Sequence, residues 1–427
     1  MPLTSSLTFK PPVSWLDFFH ARRRLFAAMA LLFLVILSFP TVYRGAGRHK
    51  RTDFTVFLKA AEAASQRRDI YDAKTERQWN YVYLPLLAVL LIPFTGFPLK
   101  FTILGWYAIS AAALWASFLL AMGLFRDRRQ GFSAALAATV LCLPSILATL
   151  TRGQMGVLNL FFALAVYALY EKKQDFWAGV LLALGVTLKL SPLAPLGFFF
   201  LAKREWKACA GGIAGAFIFV ILLPSLAVGF GKNWVYIQEW LRIMGQATSK
   251  TAHESMIWGQ LLTPMAEDNQ SLYAVLARIF WKTEENVIAH LGHWLGPATR
   301  LLGLAALAAL SWISRKKRGE ESEEKTFTAY ALFAFLMILV SPVSENHHYT
   351  VLFLMILAAF SWDGPETGKK DAMTRAYAVM AAVAFLLGLI FEKLAYWGVP
   401  MWGAGILWAV LFACLAGDKQ KLAGNRA

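Results

Sequence analysis

Residues 101–125 read FTILGWYAISAAALWASFLLAMGLF, with no charged side chain from Phe101 to Phe125. A helix of about 20 apolar residues crosses a hydrocarbon core of roughly 30 Å with every backbone N–H and C=O satisfied inside the segment. Comparable runs occupy Leu25–Tyr43, Cys209–Phe230 and, with its upstream flank, Leu301–Ile313. Further apolar segments cover Tyr81–Phe97, Phe132–Leu150, Met155–Tyr170, Phe176–Leu201, Trp294–Ile313, Phe327–Val340, Tyr349–Phe360, Ala376–Phe391 and Met401–Leu415. The chain is 58% hydrophobic and 16% charged, with a mean hydropathy of +0.51, whereas a soluble domain carries about 25% charged residues. The expected fold is all-α: a polytopic transmembrane helical bundle of about 10–12 membrane segments. Connections are short except for 44–80 and 231–293, so residues 1–427 read as a single membrane domain with two long external loops.

The net charge of +16 does not point to nucleic acid, because the bases sit in short clusters between apolar runs, where they set topology and meet lipid headgroups. Arg22-Arg23-Arg24 place the N-terminus inside, and Lys419, Lys421 and Arg426 do the same for the C-terminus. The loops holding Asp53, Ser344–His348 and residues 231–293 then share the outer face. If every run crosses once, Arg126–Arg129 and Lys172-Lys173 fall outside, against the rule. If Tyr81–Phe97 and Phe176–Leu201 instead turn back, near Pro93 and at Lys189–Pro192, both clusters move inside, and this version is preferred. Cys142, Cys209 and Cys414 lie in or beside apolar runs without metal-ligand or disulfide spacing.

Polar residues that interrupt this pattern are the candidates for chemistry. Asp53 lies in Arg48-His49-Lys50-Arg51-Thr52-Asp53-Phe54, an acid among bases. It could simply cap the amphipathic stretch Phe54, Phe57, Leu58, Ala61. It also suits a base that deprotonates a hydroxyl while cations such as Arg51 hold an anionic leaving group. Lys189, deep in an apolar run, costs at least about 2.5–3.5 kcal/mol there and can meet a lipid phosphate, or else snorkel. His347-His348 follow Glu345-Asn346 after Ser341-Pro342. As adjacent residues they project to different sides of a helix, a poor metal site, but either can contact phosphate or a sugar hydroxyl. Arg152-Gly153-Gln154-Met155-Gly156 with Asn159 forms a polar break, where helix packing and substrate contact are equally served. Asn269-Gln270-Ser271 reads as a helix start, with Arg278 a possible phosphate contact. Asp69 and Asp72 around Tyr71 signal a turn.

No P-loop, G-x-G-x-x-G or G-x-S-x-G sequence is present, and no loop is large enough for a nucleotide-sugar domain. A sugar donor would therefore arrive through the membrane as a polyprenyl-phosphate sugar. The competing class is a transporter or lipid-linked sugar flippase. Such proteins show internal repeats and midplane polar residues, whereas here no repeat is seen and the polar motifs gather on one face.

The ordered motifs resemble family GT87 of the membrane glycosyltransferases, formerly DUF2029, with GT-C architecture. The resemblance rests on Asp53-Phe54, Tyr71-Asp72, Tyr81-Val82-Tyr83-Leu84-Pro85, Gly153-Gln154 with Asn159, and Ala178-Gly179 leading to Lys189-Leu190-Ser191-Pro192. It continues with Asn269-Gln270-Ser271-Leu272 and Arg278, then Ser341-Pro342 with His347-His348. It implies an inverting enzyme of a bacterial inner (plasma) membrane, acting on its extracytoplasmic face. Such an enzyme moves mannose or an arabinofuranose-like sugar from a polyprenyl-phosphate donor to a hydroxyl of a lipid or glycan acceptor of the cell envelope. Asp53 maps to the base, and Lys189, His347, His348, Arg51, Arg278, Gln154 and Tyr83 to the donor phosphate and sugar. No cofactor and no metal are expected.

Overall fold

A computed structural model describes residues 52–73, 79–125, 127–247, 249, 251–291, 293–361 and 368–424. The expected first span Leu25–Tyr43, its flanking bases, Arg51, Arg126 and Arg426 lie outside the described residues. Among the described residues, all regular elements are helical, and strand-like pairing is confined to an isolated antiparallel bridge between Asn269 and Glu345.

Four helices, Leu99–Gly123, Trp206–Val228, Leu295–Ile313 and Val399–Ala416, are long and apolar enough to cross a membrane alone. The pair Arg129–Leu141 and Leu143–Arg152, bent by 60°, makes a fifth candidate. Their outer surfaces are apolar: Ile213 and Leu226 are each 74% exposed, and only 22% of the Trp206–Val228 window is buried. Apolar surface this extensive is stable only against lipid, and the chain is a multi-pass membrane protein.

Ion pairs identify one end of the bundle. Arg318 reaches Asp175 at 2.5 Å and Glu205 at 3.4 Å and lies over the Tyr170 ring at 3.7 Å, while Lys203 pairs with Glu321. The helices Gly156–Glu171, Asp175–Leu188, Leu196–Ala202 and Glu323–Val340 therefore share that end. At the opposite end, Lys189 Nζ meets Gln154 Oε1 at 2.9 Å. The chain thus reverses at Lys189, where φ/ψ is −154°/109° and Ser191 is also non-helical, and Pro192 supplies no N–H to continue the helix. Tyr81–Phe97 does not cross either. It forms the six-residue helix Pro85–Leu90 and a 3-10 turn over Ile92–Gly96, beside the start of Leu99–Gly123. The bases of residues 172–173 and 315–318 accordingly lie at one end and the polar motifs at the other.

Close packing in this frame depends on small residues. A Cβ at Gly179 would stand 1.9 Å from the Ala208 carbonyl oxygen, and one at Gly211 would stand 2.0 Å from that of Phe176. The Asp175–Leu188 and Trp206–Ala216 helices can approach so closely only because both residues lack a side chain.

Candidate active site

The polar end is organised by the chain leaving helix Leu143–Arg152. Gly153 closes that helix at φ 67°, and the Gln154 N–H donates back to the Thr149 carbonyl at 3.0 Å, a Schellman arrangement. A Cβ at Gly153 would stand 2.8 Å from the Phe54 Cβ, so glycine serves both the dihedral and the contact. The turn projects Gln154 among three partners. Its Nε2 donates to Asp53 Oδ2 at 2.9 Å, and its Oε1 accepts from Lys189 Nζ at 2.9 Å and from the Tyr83 hydroxyl at 3.4 Å. Lysine can only donate and a carboxylate only accept, so chemistry fixes the orientation of the amide.

Asp53 is the first residue of helix Asp53–Ser65, while Thr52 holds the N-cap position without a side-chain cap bond. The carboxylate thus sits at the positive end of the helix dipole. Aromatic contacts seat this helix. Phe54 stacks on Trp106 with centroids 5.0 Å apart, Phe57 meets Tyr83 edge-on at 5.1 Å, and Trp106 Nε1 donates to the Gly153 carbonyl at 2.8 Å. Asp69 accepts from the Tyr71 N–H at 2.9 Å, the expected turn chemistry, and the Tyr71 hydroxyl donates to the Tyr83 carbonyl at 3.0 Å.

Behind Gln154, Lys189 is 5% exposed and its Nζ lies 2.9 Å from His347 Nε2. Nε2 must accept there, which leaves the proton on Nδ1, 3.4 Å from Glu345 Oε2. Burial and then the Lys189 charge hold both His347 and His348 well below the usual imidazole range, so both rings are neutral. The expectation that they project to different sides is corrected, and neither ring lines the cavity beside Asp53. They lie in a 3-10 segment, Asn346–Val351, with ring centroids 4.2 Å apart, and both are buried. His348 Nδ1 accepts from the Glu345 N–H at 3.1 Å, fixing that turn.

A cavity of about 290 Å³ opens in front, lined by Asp53, Trp79, Asn80, Tyr83, Arg152, Gln154, Gln260, Asp268 and Glu345 among others. Of the residues singled out in the sequence, Asp53, Tyr83 and Gln154 line it, and Lys189, His347 and His348 support it from behind. Arg152 was noted only as the start of the polar break and Glu345 only with the histidines, while Asp268, Asn80 and Gln260 were given no role in it. Asp268 directly precedes Asn269-Gln270, the one signal that could have found it. Among the described residues no group of three or more His, Cys, Asp or Glu is placed to hold a metal ion.

Arg278 is not part of the cavity. It is fully buried, and its guanidinium donates to backbone carbonyls of Pro264 (2.6 Å), Ala266 (2.9 Å), Asn269 (2.9 Å) and Tyr396 (2.8 Å). These bonds tie the loop carrying Asp268 to the segment before the last helix and leave no free fork for a phosphate. Ser271 caps its helix through the Ala274 N–H at 3.1 Å, and Asn269 Nδ2 donates to the Pro342 carbonyl at 3.1 Å. Arg278→Met strands several buried carbonyls, each worth about 1–3 kcal/mol. The expected result is a markedly lower thermal midpoint in detergent; an unchanged midpoint would remove this structural role.

Glu345 takes Arg152 Nη1 on Oε2 at 2.6 Å. Burial first, then the charges of Asp268 and Asp53, push its carboxyl up to about 7, against the pull of Arg152 and Lys189. The folded state therefore binds this proton more tightly than the unfolded chain does. Stability contributed by protonated Glu345 is complete below the ordinary carboxylate range and is lost as pH rises through about 7. Glu345→Gln should flatten the fall in thermal midpoint between about pH 5 and pH 7. A slope that persists in the variant assigns it to another group.

Outward-facing apolar helices around a cavity of carboxylates, amides and one guanidinium define a polytopic membrane protein with a polar site at one end. Residues 81–342, more than half of the chain, match the family described as Glycosyltransferase family 87, and the chain belongs to that family. It is thus a glycosyltransferase. No curated protein matches the chain. The matched stretch contains Tyr83, Arg152, Gln154, Lys189, Asp268 and Arg278, while Asp53 precedes it and Glu345, His347 and His348 follow it.

Proposed function

We propose that this glycosyltransferase moves a sugar, mannose or an arabinofuranose-like pentose, from a polyprenyl-phosphate donor to a hydroxyl of a cell-envelope lipid or glycan, with inversion. The observation that carries this reading is the Asp53 carboxylate on the cavity wall, oriented through Oδ2 by Gln154 at 2.9 Å. Asp53 accepts the proton of the acceptor hydroxyl as its oxygen bonds to the anomeric carbon. The bond from that carbon to the phosphate oxygen breaks, and polyprenyl monophosphate leaves. One displacement at one carbon inverts it, and a base within hydrogen-bond reach of the nucleophile contributes about 10²–10⁴ in rate.

Tyr83 and Gln154 line the space for donor sugar and phosphate, and Lys189, His347 and His348 hold that wall from behind. Arg51 remains a proposed contact from the loop preceding Asp53. The bases gathered at the opposite end of the bundle support an extracytoplasmic site in a bacterial inner membrane, since cationic loops stay in the cytoplasm. Purified protein in lipid nanodiscs, given labelled polyprenyl-phosphate sugars and an envelope lipid extract, should form a new glycosidic bond. A flippase would move the labelled lipid between leaflets without making one, and that result would replace this reading.

A further inference from the structure

Among the described residues, the cavity wall carries three acidic side chains, Asp53, Asp268 and Glu345, and one cationic side chain, Arg152. Lys189 stands behind the wall at 5% exposure with its ammonium committed to Gln154 and His347. Among the described residues of this wall, Arg152 is therefore the group that attracts an entering anion. That guanidinium is already divided between two acids. Nη1 donates to Glu345 Oε2 at 2.6 Å, and Nη2 donates to Asp268 Oδ2 at 3.1 Å.

The two partners are unequal. The Glu345 side chain is 13% exposed, and its backbone N–H is held by His348 while its residue bridges Asn269. The Asp268 side chain is 39% exposed at the rim, and its bond is longer. An exposed ion pair contributes only about 0–1 kcal/mol, so the Asp268 contact is the one that yields to a competing anion.

We propose that Arg152 grips the phosphate of the lipid-linked donor, and that Asp268 is its displaceable counter-ion, holding the guanidinium while the cavity is empty and releasing it to the phosphate. This rests on the donor chemistry proposed above. Glu345 keeps one edge of the guanidinium fork in place, so Nη2 stays aimed into the cavity after Asp268 swings out. The donor is a phosphodiester with one negative charge. As its bond to the anomeric carbon breaks, the electron pair stays on the phosphate oxygen, and the leaving monophosphate gains a second charge. The acceptor proton passes to Asp53. The attraction of Arg152 therefore grows along the reaction coordinate, which is the condition for it to accelerate the step. Return of Asp268 to Nη2 then competes with the monophosphate and helps expel it.

The test measures binding of a polyprenyl monophosphate to the full chain in nanodiscs, with inorganic phosphate as a competing probe. Asp268→Asn removes the competitor and should tighten binding about tenfold, the equivalent of one modest charge contact. In turnover it should lower KM and kcat together, because release slows. Arg152→Met should weaken binding by a similar factor or more, and Arg152→Lys, which keeps the charge but not the fork, should recover only part. In the double variant Asp268→Asn with Arg152→Met the tightening should vanish, and Asp268→Glu should behave like the unaltered chain. Inorganic phosphate should compete only at far higher concentration than the lipid; equal competition would overturn the assignment to a lipid phosphate. Unchanged or weaker binding in Asp268→Asn, or tightening that survives without Arg152, overturns this inference alone. Unaltered protein that binds no polyprenyl phosphate overturns the donor class and this inference with it.

Discussion

Asp53→Asn should lower sugar transfer by about two to four orders of magnitude with little change in thermal midpoint. The substitution is close to isosteric, and the amide oxygen can still accept the bond from Gln154 Nε2, now 2.9 Å from Oδ2. What is lost structurally is a negative charge at the first residue of helix Asp53–Ser65, a dipole interaction of about 0.3–1 kcal/mol. The aromatic seating of Phe54 on Trp106 is untouched. What is lost chemically is the ability to take a proton, which the amide lacks at any working pH. Initial rates with the labelled donor, read beside a melting curve, separate the two effects. Transfer within a few-fold of the unaltered protein would place the base elsewhere.

Lys189→Met should cost about a hundredfold in kcat with a smaller change in the apparent affinity for the donor. From the sequence alone, this lysine is expected to touch the phosphate, so its loss would fall on donor affinity. The structure places it one residue deeper, with its ammonium on Gln154 Oε1 and His347 Nε2, both at 2.9 Å. Methionine fills the volume but leaves His347 Nε2 without its donor, and Gln154 Oε1 keeps only weaker bonds such as that from the Tyr83 hydroxyl at 3.4 Å, so the amide is held less firmly. Asp53 then loses its positioning bond, and a small displacement of a reacting group has a large kinetic effect. Removing the buried charge itself relieves a desolvation cost, so stability should change less than the rate. A KM that rises while kcat holds would restore direct phosphate contact.

The all-helical membrane architecture was legible because lipid imposes it: uncharged runs such as Phe101–Phe125 have few alternatives. The reversal at Lys189 was also legible, since a charge followed by Ser191-Pro192 in an apolar run marks a break, and the basic clusters fall on one end only if the chain turns there. Asp53 and Gln154 were identified as polar exceptions to an apolar pattern and Tyr83 through the resemblance motif Tyr81–Pro85, and the fold places the three together on one wall. Arg278 shows where this reasoning fails. A lone arginine near a loop reads the same whether it faces a ligand or backbone carbonyls, and only the path of residues 264–269 and 395–396 decides. The histidines misled for a different reason. Neighbours on a helix leave the backbone in different directions, but a side chain can swing back from there, and the two imidazoles meet with centroids 4.2 Å apart. Asp268 went unnoticed because its partner Arg152 is remote in sequence, and its place directly before Asn269-Gln270 was the one local signal it carried.

Asp53 is carried on the helix Asp53–Ser65, whose end nearest the cavity is seated through Phe54, Phe57, Trp106 and Tyr83, while Arg152 ends the helix Leu143–Arg152. The reacting pair is thus split between two pieces of the chain that meet across an aromatic seam. On the roles proposed above, displacing that seam would part Asp53 from Arg152, so transfer should depend on the aromatic contacts as much as on either group.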